Sequence, residues 1–188
     1  MDQLIEAFDL DRVGKSGSRF DPEKAKWFNH HYLKERDNHE LAKLFMPILK
    51  EKGIEKSEDF VAEVCRLIKE RATFVSDFWA LSYYFFASPE NFDEKVVKKF
   101  WKENTPAILA ELSTLIGSIE NFEVEVIDKA LHNWIAEKQL GMGQVMNSFR
   151  LCMVGTSMGP GMAEIAAVVG KKETLKRIQN AIQTIRVS

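Results

Sequence analysis

Apolar residues recur along this chain at the three-to-four-residue spacing of an α-helix. One stripe consists of Phe60, Val61, Val64, Cys65, Leu67 and Ile68. Two further stripes consist of Val124, Ile127, Leu131, Trp134 and Ile135, and of Leu175, Ile178, Ile182 and Ile185. Such stripes are typical of amphipathic helices, and no segment alternates apolar and polar residues as a half-buried strand does. The pattern predicts an all-α protein of about nine or ten helices.

Capping residues indicate where some of these helices begin and end. Asp21, Ser88 and Thr105 each stand directly before a proline, and a capping oxygen followed by proline predicts a helix start at each. Gly170 stands where a C-cap glycine would end a helix. The run from Phe74 to Phe86 is apolar on most sides, which predicts a helix buried inside a bundle.

Turn residues at 87–91 mark the strongest internal seam of the chain, because they follow the buried run directly. No repeat of fixed period and no low-complexity tract accompanies this seam. Four tryptophans, Trp27, Trp79, Trp101 and Trp134, fall on apolar stripes and are predicted to be core residues.

The 188 residues carry a net charge of only −2, but the charge is uneven. Residues 138–188 contain seven lysines and arginines against two glutamates. Such an asymmetry indicates a nucleic-acid footprint, although solvated helix faces produce it as well. No apolar run approaches the roughly 18 residues of a membrane span, and the N-terminus lacks an export signal. Together with two lone cysteines, this predicts a cytoplasmic protein without a membrane partner.

No segment shows the pattern of a catalytic, metal or nucleotide site. Gly14-Lys15-Ser16 looks like the end of a P-loop, but the glycine required five residues upstream is replaced by Asp9. The four histidines have neither the spacing nor the cysteine partners of a zinc site. No carboxylate pair is isolated in an apolar pocket. We therefore predict no catalytic residue, no metal ligand and no cofactor in this chain.

A glycine-rich turn lies within the basic part of the chain. Gly155, Gly159 and Gly161 surround Thr156-Ser157-Met158, and Arg150 precedes them by about one helical turn. A turn of this kind exposes main-chain donors and acceptors, and unpaired RNA bases are read by such groups together with arginine. An ordinary turn between two helices is the alternative.

Two blocks of the sequence resemble bacterial glutamyl-tRNA synthetases, a family of class I aminoacyl-tRNA synthetases. FDLDRVGKSGSRFDPEKAKWFNHHYL (8–33) is similar to the family segment that leads into the anticodon-binding domain. GQVMNSFRLCMVGTSMGPGMAEIAAVVGKKETLKRI (143–178) is similar to the family's C-terminal block. The resemblance extends over essentially all of the chain. In this family the GKSG stretch is a connector rather than a nucleotide site.

The resemblance implies an architecture of two packed helical subdomains. It implies a connector over 1–20, a first anticodon-binding subdomain over 21–87 and a second over 88–188. The family's enzymes are glutamate–tRNA ligases that use ATP and Mg²⁺ in a catalytic domain with HIGH and KMSKS signatures, and neither signature occurs here. The chain is therefore expected to resemble the C-terminal part of such a ligase, to bind tRNA without charging it, and to be inactive alone.

The resemblance also assigns site residues. Arg71 matches the arginine that reads the third anticodon base in members specific for glutamate tRNA, and Arg150, Gly159 and Met162 match positions at the anticodon nucleotides. The implied partner is the anticodon loop of tRNA(Glu). The protein is expected to be a monomer and not to bind DNA. The residues alone leave two alternatives open. Arg71 could simply cap its helix, and the chain could be an all-α scaffold that binds another protein.

Overall fold

The computed structural model describes residues 5, 6, 8 and 20–186, and within them ten α-helices and two short 3₁₀ turns occur with no strand. The helices are α1 (Pro22–Glu35), α2 (Asn38–Glu51), α3 (Glu58–Ile68), α4 (Phe78–Phe86), α5 (Glu94–Phe100), α6 (Thr105–Ser118), α7 (Val124–Glu137), α8 (Met142–Val154), α9 (Met162–Val169) and α10 (Lys171–Thr184). The predicted all-α class is confirmed. Gly14-Lys15-Ser16 and almost all of the predicted connector lie outside the described residues.

Local capping explains several helix ends. The Asp21 carboxylate accepts hydrogen bonds from the amides of Glu23 and Lys24 at 3.0 and 3.2 Å, so α1 begins after a satisfied N-cap. Helix α6 begins at Thr105 itself, with proline in its first turn. Gly170, at φ +87°, separates α9 from α10. These three predicted boundaries are confirmed.

The helix start predicted at Ser88 is wrong. Residues 87–93 form a loop, and α5 begins at Glu94 because the Asp93 carboxylate caps it, accepting from the amides of Lys95 and Val96. The loop is held open by a tertiary contact, since the Asp93 amide donates to the carbonyl of Gly155 at 2.8 Å. A distant partner therefore overrides the local cap signal.

The apolar run that begins at Phe74 is helical over a shorter span than predicted. Helix α4 starts at Phe78, after a 3₁₀ turn over Val75–Asp77. The Asp77 carboxylate accepts from the amides of Thr73 and Phe74 at 2.9 and 2.8 Å, which fixes the turn before the helix. Phe74 is consequently 44% exposed, whereas Phe78 is fully buried.

The hydrophobic core is one connected cluster that includes residues from α1 through α10. Helix α8 lies at its centre and packs against α5, α6, α7, α9 and α10. Four consecutive residues of α8, from Leu151 to Val154, are buried, as expected of a helix enclosed on all sides. Helix α9 also contacts α3 and α4, so it joins the first helices of the chain to the last ones.

The tryptophans do not all lie in the core. Trp101 and Trp134 are buried and Trp79 is partly buried, but Trp27 is 61% exposed. The prediction is wrong for Trp27 because α1 packs through a different face, on which Leu33 is its buried residue. Within the described residues, no helix combines the length and the apolar character that crossing a membrane requires.

Candidate functional site

The turn that follows α8 is shaped by Gly155. This residue ends α8 in the left-handed conformation, at φ +82° and ψ −10°, and its amide donates to the carbonyl of Leu151 at 2.9 Å. A Cβ added here would lie 2.5 Å from the carbonyl oxygen of Asn91. Only glycine fits, because the backbone of the loop before α5 approaches too closely for any side chain.

The far end of the turn is fixed by the start of α9. The Gly161 amide donates to the Glu164 carboxylate at 2.9 Å, which satisfies one of the free amides at the helix N-terminus. The other oxygen of Glu164 lies 3.7 Å from the Arg66 guanidinium on α3. Between the two anchored ends the turn reaches solvent, and Met158 at its tip is 70% exposed.

Arg150 lies beneath this turn. It is half-buried on α8, and its Nη1 donates to the carbonyl of Met158 at 3.3 Å. Gly159 follows at φ +122°, a conformation that side chains rarely adopt. A Cβ built on Gly159 would lie 3.2 Å from Nη1 of Arg150 and 3.1 Å from the hydroxyl of Tyr84. Arg150, Gly159 and Tyr84 thus converge at one point.

Arg71 belongs to the same neighbourhood. It ends the 3₁₀ turn Lys69–Arg71 and is exposed. Burial lowers the pKa of Arg150, the nearby Tyr84 raises it, and the positive charge of Arg71 lowers it again. The charge of Arg71 is therefore close enough to affect the pKa of both Arg150 and Tyr84.

Arg71 also supports the helix that precedes it. Its Nη1 donates to the carbonyl of Leu67 at 3.2 Å, one of the free carbonyl groups at the end of α3. The capping role that the sequence left open is thus present. It uses only one of the five N–H donors of a guanidinium, so capping and ligand binding are compatible.

Tyr84 is the site residue that the sequence did not indicate. It is only 3% exposed, and its hydroxyl is buried with no hydrogen-bond partner among the described residues. Burial raises the pKa of Tyr84, while the charges of Arg71 and Arg150 lower it. An unpaired buried hydroxyl costs about 1–3 kcal/mol, so Tyr84 opposes the stability of the fold at this point. The only signal in the sequence was a hydroxyl within an aromatic run.

Met162 is placed differently from the other three predicted site residues. Its side chain is 2% exposed and belongs to the core beneath the start of α9. The structure thus brings Arg71, Arg150 and Gly159 together, with Met162 behind the turn. A nucleotide contact at Met162 stays a prediction.

The assembled site offers hydrogen-bond donors and positive charge. Two guanidinium groups and an exposed main-chain turn suit a ligand that is rich in acceptors or carries negative charge, and the buried hydroxyl of Tyr84 lies behind them. In the described part of the chain, no three or more His, Cys, Asp and Glu residues are grouped as metal binding would require.

Comparison with known proteins gives one consistent result. A family model described as an anticodon binding domain matches residues 40–182. The chain is 45% identical to a glutamate–tRNA ligase of Flavobacterium psychrophilum over 98% of its own length and 37% of that protein. It is 44% identical to a glutamate–tRNA ligase of Phocaeicola vulgatus over 99% of its length and 37% of that protein.

A solved structure agrees with the sequence comparison. The crystal structure of a glutamate–tRNA ligase from Elizabethkingia meningosepticum superposes with a TM-score of 0.93 at 41% identity, covering 98% of this chain and 37% of that one. The chain therefore spans little more than a third of the length of these relatives.

Proposed function

The chain belongs to the anticodon-binding domain family, and from this premise we propose that it binds the anticodon loop of glutamate tRNA. The observation that carries the proposal is the convergence of Arg71, Arg150, Tyr84 and the Gly159 turn at one place on the molecule. The similarity to glutamate–tRNA ligases along almost the whole chain supports the identity of the tRNA.

We propose that Arg71 reads the third anticodon base. Its guanidinium is exposed and retains N–H donors beyond the one that caps α3. A cytosine at this position presents O2 and N3 as neighbouring acceptors, which a rigid fork of donors can engage together. A guanine presents a donor along the corresponding edge and is larger, so it is rejected.

The glycine turn would contact the neighbouring nucleotides. Arg150 supplies a second cation beneath the turn, and Gly159 can contribute only its main chain. For Met162 we propose a contact through the free amides at the start of α9, because its side chain is buried. In this arrangement bases splayed out of the loop are held by main-chain groups on one side and by guanidinium groups on the other.

The remaining features of the proposal concern the whole protein. We propose that ATP-dependent attachment of glutamate, with Mg²⁺, resides in the part of such ligases that this chain does not match. The described helices would then serve as two recognition subdomains, 21–87 and 88–188, with residues 1–20 as the connector. A monomer acting in the cytoplasm fits this role.

Binding to short RNA hairpins tests the proposal. Hairpins that carry the glutamate anticodon, with C or G at the third position, are titrated with the protein at several salt concentrations. We expect tighter binding of the C hairpin, and affinity that falls with a log–log slope of about 0.7–0.9 per phosphate contacted. Arg71→Gln should reduce the discrimination by about 1–3 kcal/mol.

Arg36→Gln is the matched control, because Arg36 is an exposed arginine close to the Lys69–Arg71 turn whose guanidinium is already paired with Glu40. It should leave the ratio between the C and G hairpins unchanged. An unchanged ratio in Arg71→Gln would remove Arg71 from base recognition. Binding that ignores salt and anticodon identity would instead favour the protein-binding scaffold.

A further inference from the structure

Arg177 is a buried cation that the site as described does not use. It lies on α10 with 3% exposure. Its Nη1 donates to the main-chain carbonyl of Tyr84 at 2.6 Å and to that of Met153 at 2.9 Å. Its Nε donates at 3.0 Å to the Glu173 carboxylate, which also accepts a hydrogen bond from the Ser88 hydroxyl at 2.6 Å.

The two carbonyl groups belong to the ends of two different helices. Tyr84 lies in the last turn of α4, and Met153 lies in the last turn of α8. Carbonyl groups in a last turn have no partner within their own helix, and they form the negative end of the helix dipole. One guanidinium therefore caps both helices and attracts both dipole ends.

A second contact reinforces the same junction. The Tyr83 hydroxyl donates to the carbonyl of Val154 at 2.8 Å, again joining the end of α4 to the end of α8. Burying a cation is costly unless its hydrogen bonds are made in good geometry. Burial lowers the pKa of Arg177, and the hydrogen bond and charge of Glu173 raise it in turn.

This junction determines where the candidate recognition groups lie. Helix α4 carries the Tyr84 ring, and α8 carries Arg150 one turn before Met153. The hydroxyl of Tyr84 and Nη1 of Arg150 lie within 3.2 Å of one point beside Gly159. Their spacing depends on how the ends of α4 and α8 are held together, and Arg177 bonds to both ends.

We infer that Arg177 is a positioning residue for anticodon recognition. It touches no nucleotide, and it sets the distance between Tyr84 and Arg150 by capping their two helices at once. The inference rests on the proposed function. A lysine would keep the charge, but a single ammonium lacks the planar fork that reaches two carbonyls and a carboxylate together.

Three variants separate positioning from stability. Arg177→Lys keeps the charge and loses the fork. Glu173→Gln weakens the ion pair while both carbonyl bonds of Arg177 remain, so it lowers stability without releasing the helix ends. Lys176→Met removes a neighbouring cation that is 74% exposed and serves as the surface control. Each variant is studied at a temperature at which its melting curve shows it to be folded.

The binding readout is the affinity ratio between C and G hairpins. We expect Arg177→Lys to reduce this ratio by roughly tenfold, equivalent to one pair of well-placed hydrogen bonds. Glu173→Gln and Lys176→Met should keep the wild-type ratio. If folded Arg177→Lys also keeps it, or if Glu173→Gln loses as much as Arg177→Lys, Arg177 does not act by positioning.

A readout without RNA separates this inference from the proposed function. The Nε–Hε resonance of Arg150 in the NMR spectrum reports the surroundings of its guanidinium. We expect this resonance to move in Arg177→Lys and to stay in place in Lys176→Met. An unmoved resonance in Arg177→Lys would overturn the positioning role whatever the RNA result. The resonance could move in Arg177→Lys while the wild-type protein binds the C and G hairpins equally well. That combination would reject the proposed function and leave the positioning role of Arg177 intact.

Discussion

Gly159→Ala probes the point at which the turn, Arg150 and Tyr84 meet. Gly159 has φ +122°, and an added Cβ would lie 3.1 Å from the Tyr84 hydroxyl and 3.2 Å from Nη1 of Arg150. A third atom, Cδ1 of Ile165, would lie at an ordinary contact distance of 3.6 Å. The substitution therefore combines backbone strain with crowding of two polar groups of the site.

The expected loss of stability follows from these two contributions. Holding a non-glycine residue in such a backbone conformation costs about 1–3 kcal/mol. Tyr84 is 3% exposed and cannot swing away, whereas Arg150 is half-buried and can, so the hydrogen bond from Arg150 to Met158 is the contact that breaks. Its loss adds about 0.5–1.5 kcal/mol. We expect Gly159→Ala to lower the free energy of unfolding by about 2–4 kcal/mol.

Two other glycines separate strain from crowding. Gly170 has φ +87° with nothing within 4 Å of an added Cβ, so Gly170→Ala introduces strain alone, about 1–3 kcal/mol. Gly143 lies within α8 with open space and an ordinary φ. Gly143→Ala should stabilise the protein by about 0.5–1 kcal/mol, because alanine favours the helix.

Urea denaturation of the three variants gives the free energies, and fluorescence anisotropy with a labelled C hairpin gives the affinities. We expect Gly159→Ala to bind the hairpin more weakly than Gly170→Ala does, because only the former displaces Arg150. If Gly159→Ala and Gly170→Ala lose the same stability and both bind the hairpin as the wild type does, the methyl group added at Gly159 does not crowd Arg150 and Tyr84. The geometry inferred for the site is then refuted.

Two further predictions concern titratable groups. Burial raises the pKa of Glu173, but hydrogen bonds from Ser88 and Arg177 lower it by more, so it titrates below its usual 4.5 when folded. The contribution of the Glu173 carboxylate to the free energy of unfolding is thus complete above about pH 4.5 and is lost as the pH falls through the folded pKa. Urea denaturation at a series of pH values should show Glu173→Gln less stable than the wild type at pH 7 and equally stable in acid. A difference in free energy of unfolding that stays constant with pH would contradict this. Burial raises the pKa of Cys65 to about 12 and that of Cys152 further, so an aromatic disulfide reagent at pH 8 should label neither thiol until denaturant is added; rapid labelling of the native protein would contradict their burial.

The parts of the fold that the sequence predicted are those that local chemistry determines. Asp21 caps α1 with its own side chain, and Gly170 ends α9 through its own backbone conformation. In both cases the residue type at that position is enough to predict the helix end. Ser88 carries a similar local signal, but its hydroxyl donates to Glu173 and the loop is bonded to Gly155. Those partners lie more than 60 residues away, and no local pattern reveals them.

The site shows the same division. Arg71 and Arg150 can be proposed from the sequence because family motifs surround them, whereas Tyr84 lies in a run of aromatic residues whose pattern predicts only core positions. Its hydroxyl becomes notable only when Gly159 and two arginines are brought beside it. Arg177 stands inside a recognised motif, yet its two carbonyl partners come from α4 and α8 and have no signature of their own.

Three features of the candidate site oppose stability. The charges of Arg71 and Arg150 repel one another, the Tyr84 hydroxyl has no hydrogen-bond partner within the part of the chain that the structure describes, and Gly159 holds a backbone conformation that other residues avoid. The Tyr84 ring is carried by α4 and Arg150 by α8, so their spacing would change if the ends of these two helices moved apart. The bonds of Arg177 to both carbonyls prevent that movement, so the unsatisfied donors remain in place before any ligand arrives. A ligand rich in acceptors then meets groups that need no reordering, which is the condition for selective binding.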